Sequence, residues 1–178
     1  MKPVIKEELE VPEGVELKVS GRTVEVSGPK GKLTRTFDFQ RVSIEAGGKK
    51  VLISSDSARR RTKAAVMTVR SHLRNMFKGV TEGFTYKLKV VYSHFPITVK
   101  VDGERKRVLI QNFIGERAPR VARIVGDVKV EVRGDEIIVN GINKDDVGQT
   151  AFNIEQATQV KYRDLRVFQD GCYITERG

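Results

Sequence analysis

Three stretches in the first third of the chain, VELKVSG (15–21), VEVSGPKG (24–31) and VSIEAGGKKVLIS (42–54), alternate apolar and polar residues. A period of two is the spacing of half-buried strands. The texture returns later in ITVKVDG (97–103), VLIQNFIG (108–115) and VKVEVRGDEIIVN (128–140), at offsets of 82, 84 and 86. In the third pair Val42, Glu45 and Gly48 meet Val128, Glu131 and Gly134 with the alternation in phase. A slowly growing offset is what loop insertions between persistent strands produce. The pattern predicts a tandem duplication of the α+β class. Each copy is a small, mostly antiparallel sheet packed against one main helix. The boundary falls near Gly79 to Gly83, giving an N-terminal domain over 1–82 and a C-terminal domain over 83–178.

Between the alternating blocks the period changes. Val66, Val69, Leu73, Met76, Phe77 and Val80 recur at helical spacing and predict a first helix over 58–78 that covers a sheet, with Ser57 as its N-cap. Arg59, Lys63, Arg70, Arg74 and Lys78 form a neighbouring stripe, and Arg59, Arg60 and Arg61 crowd the first turn. There the helix dipole disfavours each cation by roughly 0.3–1 kcal/mol. Charge placed against local stability points to another use. A second helix is expected from Asn143 as N-cap, with Asp145 and Asp146 complementing the dipole and Val147, Ala151, Ile154 and Thr158 buried. Gly148 and Ala151 allow close approach to a sheet, while Gln149, Asn153, Gln156 and Gln159 cover the outer faces almost without cations.

The chain ends RDLRVFQDGCYITERG (163–178). Lys161, Tyr162 and Arg163 are expected to occupy the turn after the second helix. Arg166-Val-Phe-Gln then reads as extended, Asp170-Gly171 as a tight turn, and Cys172-Tyr-Ile as a returning strand. In that hairpin Phe168 is buried and anchors Arg163 and Arg166.

Composition adds a partner class. The chain has 33 Lys and Arg against 23 Asp and Glu, a net charge of +10 and a pI near 9.8. Such a balance suits a polyanion, most often nucleic acid, although an anionic membrane surface would also attract it. A hydrophobic fraction of 39% can supply a core. One cysteine, Cys172, excludes an intramolecular disulfide and fits a reducing compartment. Met1-Lys-Pro leads into charged residues rather than a secretory signal, and no run approaches the length of a spanning helix. These features are expected of a soluble, intracellular protein.

Catalytic readings find little support. The histidines are His72, inside the first helix, and His94, in YSHFP (92–96), and Cys172 sits where a strand wants a small hydrophobe. No metal-ligand spacing is visible, so no metal or cofactor is expected. GPKGKL (28–33) lacks the remainder of a Walker loop and reads as a basic hairpin turn. Nucleic-acid binding fits better. Arg105, Lys106 and Arg107 follow a turn, and IGERAPRVAR (114–123) sets Arg117, Arg120 and Arg123 around Pro119, in what reads as an extended loop. Arginine supplies 17 of the 33 cations, and its planar fork suits phosphates. Without tryptophan or an RNP-type aromatic signature, recognition of folded RNA by shape and backbone is expected over single-strand reading.

The blocks SHLRNMFKGVTEGF (71–84), VVYSHFP (90–96), VGQTAFNIEQATQVKYRD (147–164) and RVFQDGCYI (166–174) resemble the large-subunit ribosomal protein six family, in its archaeal and eukaryotic branch. The likeness spans essentially the whole chain and departs at Cys172, where an aliphatic residue is expected. It implies two similar α+β domains, a structural rather than catalytic role, and a cytoplasmic place in the ribosome. Its partners would be large-subunit rRNA near the sarcin–ricin loop and stalk base, neighbouring large-subunit proteins, and translational GTPases docking nearby. Lys161, Arg163, Arg166 and Arg177 become the first group of RNA contacts and Arg117, Arg120 and Arg123 the second. The third is the helical group Arg60, Arg61, Lys63, Arg70 and Arg74. An RNA-binding module outside the ribosome and a protein-interaction scaffold built on the amide-rich second helix remain alternatives.

Overall fold

The computed structural model describes residues 4–178; Met1-Lys-Pro and the reading made on it lie outside them. The chain divides into two compact units, one ending at Gly83 and the other spanning Phe84–Gly178. In the first, β1 (Ile5–Glu10), β2 (Glu16–Ser20), β3 (Thr23–Gly28), β4 (Gly31–Thr36), β5 (Val42–Gly47) and β6 (Lys50–Ser55) precede α1 (Arg60–Thr81). They form an antiparallel meander, β2-β3-β4, and a second sheet ordered β1-β6-β5. Val66, Val69, Leu73, Met76, Phe77 and Val80 of α1 are buried against Val24, Val26, Val51 and Ile53. The helical stripe is therefore core. GPKGKL is a hairpin turn joining β3 to β4, and the Lys30 N–H donates to Val80 O at 2.9 Å. Gly28 is required there because a Cβ would come within 2.7 Å of Val80.

The second unit repeats the order. β7 (Phe84–Val91), β8 (Thr98–Asp102), β9 (Arg107–Gln111), β10 (Arg120–Arg123), β11 (Lys129–Arg133) and β12 (Glu136–Gly141) precede α2 (Lys144–Ala157), and β13 (Gly171–Arg177) follows it. The meander β8-β9-β10 matches β2-β3-β4, and β7-β12-β11 matches β1-β6-β5, as the alternating blocks predict. Insertions lengthen the β9–β10 connection, where a single 3-10 turn spans Phe113–Gly115. The second core gathers Leu88, Val108, Ile110, Phe113, Ile137, Val139, Val147, Ala151 and Ile154.

Two local expectations are corrected. The first helix begins at Arg60 and ends at Thr81, and its N-cap is Arg59, in extended backbone without a side-chain cap. Ser57 Oγ instead accepts the Arg59 N–H at 3.4 Å, forming a turn before the helix. The terminal hairpin is absent. β13 does not fold back on residues 166–169 but pairs antiparallel with β7, setting Cys172 opposite Val90 and Ile174 opposite Leu88. The hydrophobic spacing was compatible with both pairings, and the long-range one buries Cys172 completely.

Candidate nucleic-acid interface

The segment joining α2 to β13 is built from its two ends. At the upstream end α2 behaves as its sequence dictates. The Asn143 side chain accepts the Asp145 N–H at 3.2 Å, Asp145 and Asp146 lie in the first turn, and Val147, Ala151, Ile154 and Thr158 are buried. Thr158 Oγ1 accepts the Cys172 N–H at 2.9 Å and donates to Glu155 O at 3.0 Å. Glu155 Oε1 accepts the Ile174 N–H at 3.1 Å. Side chains of α2 and its C-cap thus occupy the edge of β13 that β7 leaves open.

At the downstream end Asp170 is fully buried. Its carboxylate accepts from the Ser93 and His94 N–H groups, both at 3.3 Å, from Ser93 Oγ at 3.1 Å and from His94 Nδ1 at 2.9 Å. A carboxylate only accepts, so Nδ1 carries the proton. Burial pushes the Asp170 pKa up, but the His94 and Ser93 donors outweigh it and hold the carboxyl below its usual range. The His94 ring stacks on Phe168 with centroids 4.6 Å apart. The Arg163 guanidinium carbon lies 4.7 Å from the Phe168 ring centroid. Asp170, His94, Phe168 and Arg163 therefore form a continuous column, from a buried anion to a surface cation.

Between the ends, the backbone turns on Asp164, whose carbonyl accepts the Val167 and Phe168 N–H groups at 3.1 and 2.9 Å. Asp164 Oδ1 takes the Arg166 N–H at 3.0 Å and lies 3.4 Å from Arg166 Nε. Arg166 is 92% exposed, so that ion pair holds it only weakly. Lys161, Tyr162, Arg163, Leu165 and Arg166 all face solvent. Phe168 is half-buried, a correction to the fully buried anchor expected from sequence. The ring seats Arg163 rather than filling the core.

The structure brings Lys161, Arg163 and Arg166 together on this segment. Arg177 is exposed at the far end of β13, about 20 Å along the strand from Asp170. The second group does not converge. Arg120 Nε and Nη2 donate to the Glu116 carboxylate at 2.8 and 2.7 Å, and Nη1 donates to Ala157 O and Gln159 O at 3.0 and 2.9 Å. Its guanidinium also lies 4.2 Å from the Phe113 ring centroid. Arg120 ties the lengthened loop to the C-terminal carbonyls of α2, where a cation suits the helix dipole. The Arg120 hydrogen bond holds the Glu116 carboxyl below its usual range. Arg117 stays exposed before Pro119, and Arg123 is an exposed strand residue opposite Arg107. The loop reading holds as far as Pro119; beyond it Arg120–Arg123 is a strand.

On α1, Arg60, Arg61, Lys63 and Arg74 are exposed, and Arg70 Nε lies 3.6 Å from Glu7 Oε2. No acidic residue occupies the first turn. The amides of α2 serve the fold more than expected: Asn153 Nδ2 donates to Arg123 O, and Gln149 Nε2 to Asn153 Oδ1, both at 2.9 Å.

The His94–Phe168 column leaves only a faint signal in the sequence, a histidine between aromatic residues in YSHFP (92–96). Cys172 is buried beneath Thr158, and burial pushes its thiol up to about 11, which keeps it protonated and unreactive at neutral pH. Among the described residues no group of three or more His, Cys, Asp or Glu could hold a metal ion, and no described helix is long and apolar enough to cross a membrane.

Comparison with known proteins agrees with the repeat. The family described as Ribosomal protein L6 matches residues 11–83 and again residues 95–171. The chain is 52% identical over 170 residues to the large ribosomal subunit protein uL6 of Methanocella arvoryzae, covering 96% of each chain. It is 50% identical over 178 residues to that of Staphylothermus marinus, covering 99% of this chain and 96% of the relative. With the protein of that name from Methanosarcina mazei it shares 49% over 169 residues, 95% of each. A doubled sheet-and-helix unit, matched twice by one family and along nearly its whole length by these relatives, belongs to the ribosomal protein L6 family.

Proposed function

We propose that this chain is a structural constituent of the large ribosomal subunit, bound to large-subunit rRNA in the cytoplasm and contributing no catalytic residue. Family membership supports that role. The resemblance supports a place near the sarcin–ricin loop and stalk base, among neighbouring large-subunit proteins and beside the docking region of translational GTPases. The single observation that carries RNA binding is the seating of Arg163 on Phe168, with Lys161 and Arg166 exposed beside it. A guanidinium already held against a ring loses little further freedom on meeting phosphate. Arg177 is a peripheral contact in this reading, Arg117, Arg123 and the α1 cations are outer ones, and Arg120 is a fold residue.

Salt titration of the full chain with purified large-subunit rRNA tests this. Neutralising about 6–10 phosphates weakens binding about 10³–10⁵-fold between 50 and 200 mM salt. The double variant Arg163→Ala, Arg166→Ala is expected to keep the wild-type thermal transition and lower the salt slope by about two phosphate contacts' worth. An unchanged affinity and slope would remove these arginines from the interface. A wild-type chain with almost no slope would favour a protein-interaction scaffold.

A further inference from the structure

Among the described residues, Arg41, Lys106, Asn112, Ile114 and Tyr162 hold positive φ without being glycine. This backbone region is costly for residues with a large side chain, and asparagine tolerates it best. In three of the others a contact accompanies the conformation. Ile114 packs against the second core, Lys106 Nζ donates to Gly126 O at 2.9 Å, and Arg41 O accepts from Ser55 Oγ at 2.7 Å. Tyr162, at φ +59, has no such return. Its side chain is wholly exposed, and neither ring nor hydroxyl has a partner among the described residues. Strain that packing does not offset points to a use outside the chain.

The surroundings identify the ligand chemistry. Lys161 and Arg163 flank Tyr162, and both are exposed. Arg163 is fixed on Phe168, and Arg166 follows on the Asp164 turn. A free aromatic face between cations matches a nucleic-acid strand, where phosphates pair with cations and a base stacks on the ring. We infer that Tyr162 is a stacking platform for an unpaired nucleobase of the bound RNA. The inference rests on the reading that RNA binds Lys161–Arg166, and adds to it a contact with a base. Stacking is tolerant of base identity, because every base has a π face. At this left-handed position the ring stands wholly exposed.

Two variants of the full chain test it against purified large-subunit rRNA. Tyr162→Asn relieves the backbone and removes the ring; Tyr162→Phe keeps the ring. The Asn variant is expected to melt at or above the wild-type temperature and to bind roughly 5- to 150-fold more weakly. Its salt slope should be unchanged, because no charge is lost. The Phe variant should retain wild-type affinity. With four tyrosines and no tryptophan in the chain, RNA-induced quenching of tyrosine emission should shrink in the Phe variant. Wild-type affinity in the Asn variant, while the Arg163, Arg166 pair still lowers the slope, would overturn the stacking contact and leave the RNA site standing. A reduced slope in the Asn variant would overturn it too, since Tyr162 would then be shaping the cationic segment. If the wild-type chain itself shows no salt-dependent binding, the RNA site falls and the stack with it.

Discussion

Asp170 is the residue on which the candidate interface rests. Its carboxylate is inaccessible to solvent, a position that disfavours charge, yet four donors from Ser93 and His94 keep it ionised. Because its folded pKa lies below the unfolded value near 3.9, its contribution to stability is present above that value and is lost as pH falls through the folded pKa. Asp170→Asn should lower stability at pH 7 by about 1–3 kcal/mol, since the amide turns a donor toward donors. Melting curves of both chains from pH 7 to pH 3 should show the gap narrowing at the acid end. A gap constant across that range would mean that the charge on Asp170 does not hold the column. None of this was legible in the sequence, where Asp-Gly is a strong local turn signal. The turn preference lost to a buried carboxylate partnered by residues 76 and 77 positions upstream. The partners of Arg120 are hidden in the sequence for a related reason. Three arginines spaced around a proline suggest an open loop, and only the fold shows one of them closing on Glu116 and the end of α2.

At the scale of elements, the cores of α1 and α2 were readable because helical periodicity is local, and each residue named for their buried stripes is buried. The start of α1 was not. Ser57 has the chemistry of a cap, but its hydroxyl serves a preceding turn, and Arg59 occupies the cap position without capping. The helix thus begins with no side-chain cap, no acidic residue and three consecutive arginines at its N-terminus. This arrangement costs stability at the positive end of the dipole. Replacing Arg59, Arg60 and Arg61 together with glutamine should therefore raise or preserve the melting temperature while weakening incorporation into large subunits. An appreciable fall in the melting temperature would instead make these cations part of the fold. The partner of the terminal strand is likewise not legible at this scale. Alternation in VFQDGCYI marks where a strand can lie but not which edge receives it. The open edge of β7 competes with a local hairpin and wins by burying Cys172.

For the whole molecule, the repeat was legible because hydrophobic phase survives loop insertion, and the matching sheet orders β1-β6-β5 and β7-β12-β11 show the same unit used twice. The copies differ at one edge. β13 lies on β7 in the second unit, whereas β1, the counterpart of β7, is a sheet edge in the first. The second unit therefore holds its own core, a covered edge, and the segment bearing Arg163 and Tyr162 within Phe84–Gly178. A unit of roughly ninety residues buries enough surface to fold without disulfides or metals. The fragment 84–178 is accordingly expected to unfold in one cooperative thermal transition and to retain salt-dependent binding to large-subunit rRNA. Ending it at residue 170 removes β13, exposes the edge of β7 and frees the Thr158 and Glu155 side chains that hold Cys172 and Ile174. That shorter fragment should lose the cooperative transition. If 84–178 itself melts without cooperativity, the second unit depends on the first for its stability, and the duplicated units are not separate folding domains.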